Sequence, residues 1–560
     1  MRTGGRILVD NLVLQGVDLA FCVPGESYLA VLDALYDVRE SVKLIVCRQE
    51  GGAAYMGEAY GKLTGRPGIV FVTRGPGACN AAIGIHTAQQ DSTPLIVFIG
   101  QVGGDFRDRE AFQEIDYTKM YGGIAKWVAQ IDRAERIPEY VARAFHVALS
   151  GRRGPVVLAL PEDMLTAHVD AIDTPRTEVA SLAPAPAQME TLSSMLARAR
   201  TPLVVAGGGG WTAAACVDLQ RFAEAFALPV ASAFRNQDVF DNDHANYAGE
   251  VGIGINPKLA ARVRGADLLL VIGERLGEMV TGGYTLPCAP GHVASLVHVL
   301  PDSDDAARVY YPALSITASI PAFAEALAAL PAPSHPTWSG SVLEAHTDYE
   351  AWQSPRAVVG AVDLWKVVAT LRERLPKDAI LASGAGNYTV WAHRLYRHRP
   401  WRTQLAPYNG SMGYAVPAAV AAKLACPGRT VVSWNGDGCF QMNGQEIATA
   451  VQYGANVVFI VVDNGMYGTI RMHQEREYPG RVIGTDIANP DFAALARAYG
   501  ALGETVTRTA EFEPALSRAL VADRPSLLHL RVDPQAITMN ATIDQIRRQA
   551  SPSATHGSVR

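Results

Sequence analysis

The apolar run Thr430 to Trp434 closes on Gly436-Asp437-Gly438, and a second run, Asn456 to Val462, closes on Asp463-Asn464. Between them Gly444 to Tyr453 has the pattern of one short helix ended by Gly454, so the order is strand, glycine turn, helix, strand. Such a βαβ unit crosses over right-handed and lays its strands parallel, which brings Asp437 and Asn464 together at the carboxyl edge of a sheet, where open α/β sheets bind ligands. One carboxylate and one amide oxygen suit magnesium, a hard cation usually held by one or two side chains plus phosphate and water. Gly436 and Gly438 have no Cβ to keep a diphosphate from the backbone amides, and the following helix turns a positive dipole end toward it. The unit reads as a metal-bridged diphosphate anchor.

The rest of the chain fits an enzyme of small molecules. Its 560 residues suit about three domains of ordinary size. A net charge of −6 and no basic run offer nothing to nucleic acid or a membrane surface, and no apolar stretch is long enough to span a bilayer. From Met1 to Phe21 the pattern of Ile7, Leu8, Leu12 and Leu14 around Asp10 is that of an amphipathic helix, not a signal peptide. The seven cysteines are scattered and never form a Cys-x-x-Cys pair, which argues against disulfides and zinc and for a reducing cytoplasm.

Buried strands are expected at Lys43 to Cys47, Gly68 to Thr73, Leu95 to Gly100 and Pro155 to Leu160, then at Pro202 to Ala206 and Asp267 to Ile272, and again at Ala379 to Ala382. Proline-dotted stretches from about Asp163 to Pro186 and from Pro331 to Pro355 read as linkers, and the tail after Ser551 as disordered. The expected fold is α/β, with three doubly wound parallel-sheet domains at residues 1–165, 189–330 and 356–540.

Asp437 and Asn464 lie 27 residues apart, with strand, helix and strand between them, and this unit resembles the diphosphate motif of thiamine diphosphate (ThDP) enzymes. The resemblance covers nearly the whole chain and implies pyrimidine-binding, central and diphosphate-binding domains in that order. Glu50, in Arg48-Gln49-Glu50-Gly51-Gly52, taken alone is a helix-start carboxylate matched to the dipole. In the family a glutamate at this place bonds a pyrimidine nitrogen of the cofactor and assists deprotonation of its thiazolium carbon. The same resemblance makes Met412 the apolar wedge that bends the cofactor and gives the diphosphate Gly386, Asn387 and Cys439 as further contacts. It makes the carbonyl of Met466 the third protein ligand of Mg²⁺, beside Asp437 and Asn464.

Within the family the chain is most similar to the acetolactate synthase (acetohydroxyacid synthase) large-subunit group, through Thr73-Arg74-Gly75-Pro76-Gly77, Ala111-Phe112-Gln113-Glu114-Ile115-Asp116 and Asn489-Pro490-Asp491-Phe492. That similarity turns Phe112 and Gln113 toward substrate. Two positions depart from it: Met279 replaces an arginine that holds the second keto acid's carboxylate, and His473 replaces a tryptophan that favours 2-oxobutyrate. A thioether cannot form the bidentate pair an arginine makes with a carboxylate. Glu26 matches a catalytic aspartate of some family decarboxylases, and Glu26 and His473 are the candidates for proton handling; the alternatives are a turn carboxylate and a surface histidine. His86 reads as structural.

The expected reaction is therefore decarboxylation of a pyruvate-like 2-oxo acid with transfer of the remaining unit to a carbonyl acceptor. Rival readings are a decarboxylase or acyloin-cleaving lyase, an FAD-using oxidoreductase, and a non-catalytic binder. Gly207 to Gly210 follows a strand without the acidic residue a dinucleotide fingerprint needs, so FAD, ADP or no ligand in the central domain stay open. The resemblance further implies a homodimer or homotetramer whose active sites are shared between subunits.

Overall fold

The computed structural model describes residues 1–287, 292–334, 336–399 and 401–550; the tail after Ser551 lies outside them. Runs such as Leu95–Gln101, apolar on both faces, can be covered only from two sides, and parallel sheets flanked by helices provide that. Three such sheets form. In the first, the strands lie in the order Lys43–Val46, Leu19–Cys22, Gly68–Val72, Leu95–Gln101, Pro155–Pro161 and Trp127–Gln130. In the second, the order is Tyr247–Val251, Val230–Ala233, Pro202–Ala206, Leu268–Ile272, His292–Leu300 and Tyr311–Thr317. The third sets Ile380–Ser383, Val431–Gly436, Val458–Asp463, Ser526–Arg531 and Leu502–Val506 side by side, all parallel. From Leu19–Cys22 onward the first sheet follows the same crossover plan as the third.

Two compact units result: Met1–Trp352 with Arg397–Asn409, and Gln353–Tyr396 with the residues from Gly410 on. The stretch expected as a second linker, Pro331 to Pro355, is largely structured. Gly340–Trp352 is a helix that buries Ala345 and Tyr349, and Trp338 donates its indole N–H to Phe226 O at 3.0 Å. The prolines mark only the approach to this helix, whose few buried side chains leave too little periodicity to read. The first expected linker is tied at its start: His168–Val169 pairs antiparallel with Arg2–Thr3, and Asn11 Nδ2 donates to Asp173 Oδ1 at 2.8 Å. Among the described residues the cysteines are free, and no helix is long and apolar enough to cross a membrane.

Candidate functional site

In the third sheet Gly436 stands opposite Val462, so Asp437 and Asp463 leave their strands side by side and Asn464 follows one residue later. Asp437 opens a five-residue helix, Asp437–Gln441, that the sequence pattern did not mark; helix was expected only from Gly444, where the chain instead makes a 3₁₀ turn before Ile447–Gln452. The glycines around Asp437 masked this turn, because glycine counts against helix in any reading of propensity.

The carboxyl edge here encloses a cleft of about 220 Å³. Gly386 and Asn387 reach it from the loop after Ile380–Ser383, and Met412 from the segment before the helix Ala415–Ala425. Gly436, Asp437, Gly438 and Cys439 line it from the short helix, and Asn464 and Met466 from the turn after Val458–Asp463. A Cβ on Gly436 would come 2.6 Å from the Tyr388 ring and one on Gly438 2.6 Å from the Tyr467 ring, so both floor positions must stay bare. Gly386 has φ +142°, a conformation that side chains rarely adopt. Cys439 Sγ accepts from Gly413 N at 3.1 Å. Asn387 is tied to the wall, its backbone N–H donating to Thr469 Oγ1 at 2.9 Å and its Nδ2 to Ile537 O at 3.0 Å. Tyr388, Tyr467, Thr469 and Ile470 also line it and were not among the expected residues.

Asp437 is 4% exposed. Burial pushes its pKa up, and the neighbouring Asp463 adds to this; bonds donated by Asn489 and Gly438 offset part of it. Its Oδ1 accepts from Gly438 N at 2.9 Å, and its Oδ2 from Gly465 N at 2.9 Å and Asn489 Nδ2 at 2.8 Å. Asn464 Oδ1 accepts from Met466 N at 3.3 Å, which closes the turn. A buried carboxylate next to an amide oxygen and a turn carbonyl is a set of hard oxygen donors that a divalent cation such as Mg²⁺ would fit and stabilise. Among the described residues no group of three or more His, Cys, Asp or Glu is arranged to hold a metal, so a cation here would rest on this mixed set.

At the corresponding edge of the first sheet, Glu50 opens the helix Glu50–Thr64, whose cap Gln49 accepts from Gly52 N. Asn80 Nδ2 donates to Glu50 Oε2 at 2.8 Å. Asn80 lies on Arg74–Asp91, the helix that follows the next strand, where a Cβ at Gly77 would stand 3.4 Å from Glu50 Oε1. Glu26 is exposed on the 3₁₀ turn after Leu19–Cys22. Phe112 is 72% exposed, and Gln113, at φ +65°, holds the start of Arg74–Asp91 by accepting from Gly75 N at 2.9 Å. Its side-chain Oε1 is buried without a partner. Glu26 and Glu50 thus leave the carboxyl ends of the neighbouring strands Leu19–Cys22 and Lys43–Val46, beside the point where strand order reverses, and Gln113 lies on the loop that follows Leu95–Gln101. His473 is exposed on Gly468–Glu477, outside the cleft lining. Met279, on Glu278–Thr281, packs half-buried against an apolar cluster that includes Leu276 and Val280.

A second cleft, about 350 Å³, lies in the first unit beside the turn Gly207–Gly210. Arg152, Arg153 and Arg275 line it; burial holds Arg152 down to about 10 and lowers Arg153.

Three family models match the chain. Residues 2–120 match the N-terminal TPP binding domain of thiamine pyrophosphate enzymes, 189–327 their central domain and 384–530 their C-terminal TPP binding domain; thiamine pyrophosphate is ThDP under another name. Among curated proteins, the chain is 32% identical to the acetolactate synthase isozyme 2 large subunit of Escherichia coli, over 95% of both chains. It is 31% identical to the acetolactate synthase large subunit of Corynebacterium glutamicum, covering 95% of this chain and 87% of that one. To the probable acetolactate synthase large subunit of Methanocaldococcus jannaschii it is 30% identical, covering 95% and 92%.

Proposed function

This chain belongs to the thiamine diphosphate enzymes of the acetolactate synthase large-subunit group, and from that premise we propose how its own residues divide the work. It is a ThDP-dependent carboligase that decarboxylates a pyruvate-like 2-oxo acid and joins the remaining unit to a carbonyl acceptor. The observation that carries the site assignment is the convergence, in one cleft at a sheet edge, of Asp437, Asn464, Met466 and the bare glycines 436 and 438. Asp437 Oδ, Asn464 Oδ1 and the Met466 carbonyl would hold Mg²⁺, and the helix start at Gly436–Gly438 would take the diphosphate. When bound, ThDP supplies the thiazolium carbon that adds to the 2-oxo acid and accepts the electron pair left when CO₂ departs. Met412, half-buried on the cleft wall, would press the cofactor into its bent form.

Glu50 would exchange a proton with the pyrimidine ring, with Asn80 fixing the carboxylate through Oε2. Phe112 and Gln113 would face the substrate, and the Phe112 ring is open to it at 72% exposure. Either Glu26 or His473 would serve proton transfer. The family resemblance sets Glu50 and the diphosphate anchor of one site on different subunits, and on that ground we read the protein as at least a homodimer in which one subunit's first domain completes another's third. A cytoplasmic enzyme accords with free cysteines among the described residues.

The acceptor is the finer question. Met279 packs into apolar surroundings and brings no charge, which favours an aldehyde over a second keto acid as acceptor. The lyase reading keeps the same donor chemistry and ends with a proton on the carbon in place of an acceptor. The arginine-lined cleft beside Gly207–Gly210 suits a phosphate-bearing nucleotide, FAD among them, and a flavin absorbance band in the purified protein tests for the flavin. Product analysis on a panel of 2-oxo acids, with and without added aldehydes, separates the carboligase, lyase and oxidoreductase readings.

A further inference from the structure

Two carboxylates leave adjacent strands at the proposed metal anchor, and one side chain joins them. Asn489 Nδ2 donates to Asp437 Oδ2 at 2.8 Å and to Asp463 Oδ1 at 2.7 Å. Its other end is fixed as well, since Asn489 Oδ1 accepts from Gln441 Nε2 at 2.8 Å, on the helix Asp437 begins. Both hydrogens of one amide are therefore spent on holding two like charges in contact. Behind Asp463 stands His529, fully buried on Ser526–Arg531 with Phe492 packed edge-on at 5.1 Å. His529 Nε2 lies 2.8 Å from Asp463 Oδ2. Gly465 N–H reaches both carboxylates, at 2.9 and 3.0 Å, so the turn that carries Asn464 hangs on the same pair.

We propose that Asn489, backed by Asp463 and His529, is a positioning residue that presets the Asp437 carboxylate and the Asn464 turn for a divalent cation. Without the bridge, Asp437 and Asp463 repel and the Asp437 carboxylate rotates away from the orientation the cation requires. Outer partners of this kind typically change metal affinity by about ten- to a hundredfold while leaving the ligands themselves in place. This inference rests on the reading of Asp437 as the metal carboxylate, and the experiment keeps the two apart.

ThDP binding is titrated by calorimetry across a Mg²⁺ series for the full-length protein and for Asn489→Ala, Asn489→Asp, His529→Gln, His529→Phe and Asp437→Ala. Asn489→Ala should raise the Mg²⁺ concentration needed for half-maximal ThDP binding about tenfold or more. At saturating Mg²⁺ its kcat should return to within about threefold of wild type. Asn489→Asp, which keeps the size but sets a third acceptor among carboxylates, should be worse than alanine. His529→Gln, still a donor, should stay nearer wild type than His529→Phe. Unchanged Mg²⁺ dependence in Asn489→Ala, with Asp437→Ala defective, overturns the positioning role alone. Wild-type binding by Asp437→Ala overturns the anchor itself and the inference with it.

Discussion

The first and third sheets share a strand plan yet present opposite surfaces at their carboxyl edges. The third edge is a concave cleft with bare glycines, a buried carboxylate and turn oxygens. In the first, Glu50 waits at a helix start with a single amide partner, beside an exposed Phe112 and an exposed Glu26. The same topology supplies the same switch point, and the residues placed there decide whether it becomes an anchor or a chemical edge. On the proposed reading the cleft would take the diphosphate and the cation, and the Glu50 edge the pyrimidine.

The largest break in this comparison is expected from the anchor. Asp437→Ala removes the one carboxylate of the proposed metal set and should abolish ThDP retention and turnover together, measured by bound cofactor after gel filtration in Mg²⁺. If the variant retains cofactor as wild type does, the cleft is not the anchor. At the other edge, Glu50→Gln keeps size and reach but cannot exchange a proton as a carboxyl group does. Cofactor should still bind, while hydrogen–deuterium exchange at the thiazolium carbon slows by orders of magnitude; equal exchange rates would take Glu50 out of the chemistry.

A smaller effect sharpens what the first unit contributes to selectivity. With methionine at 279, a second keto acid lacks a charge-assisted pair worth roughly 1.5–3 kcal/mol, or about ten- to a hundredfold. An added aldehyde should therefore outcompete a second pyruvate, and Met279→Arg should shift products toward acetolactate by up to that factor. Ordinary acetolactate formation by the wild type, with aldehydes ignored, would make the Met279 argument wrong. The smallest effect is on stability. Burial holds His398, in the first unit, down to about 3 from 6.5. Between those values the unfolded chain binds the extra proton, so this group's share of stability is complete above pH 6.5 and declines by about 1.4 kcal/mol per pH unit below it. His398→Gln should lose less melting temperature than wild type between pH 7 and pH 5, and equal losses would mean that the site is not protected as its burial indicates.

Much of both edges was legible because it is local. A strand ending in glycine and a hard-oxygen donor sets Asp437 within one turn, and Pro202–Ala206 was readable to its ends as a continuous apolar run. The support behind the anchor was not legible. His529 meets Asp463 only because Ser526–Arg531 pairs with Val458–Asp463, and no spacing announces a contact 66 residues apart. Asn489 carried a family resemblance but no physical role, since its two carboxylate partners come from different strands. The register signal that could have found Asp463 was present: it precedes Asn464 at a parallel strand end, where it faces the residue after Gly436.

The division of one site between two edges is tested most directly by mixing. Glu50→Gln and Asp437→Ala subunits, each inactive alone, are combined under conditions that allow exchange, and carboligation is assayed. A mixed dimer with sites shared between subunits holds one site free of both defects, so activity should return to a sizeable fraction of wild type. Exchange verified by mass, with no activity regained, would show that each site is completed within one chain.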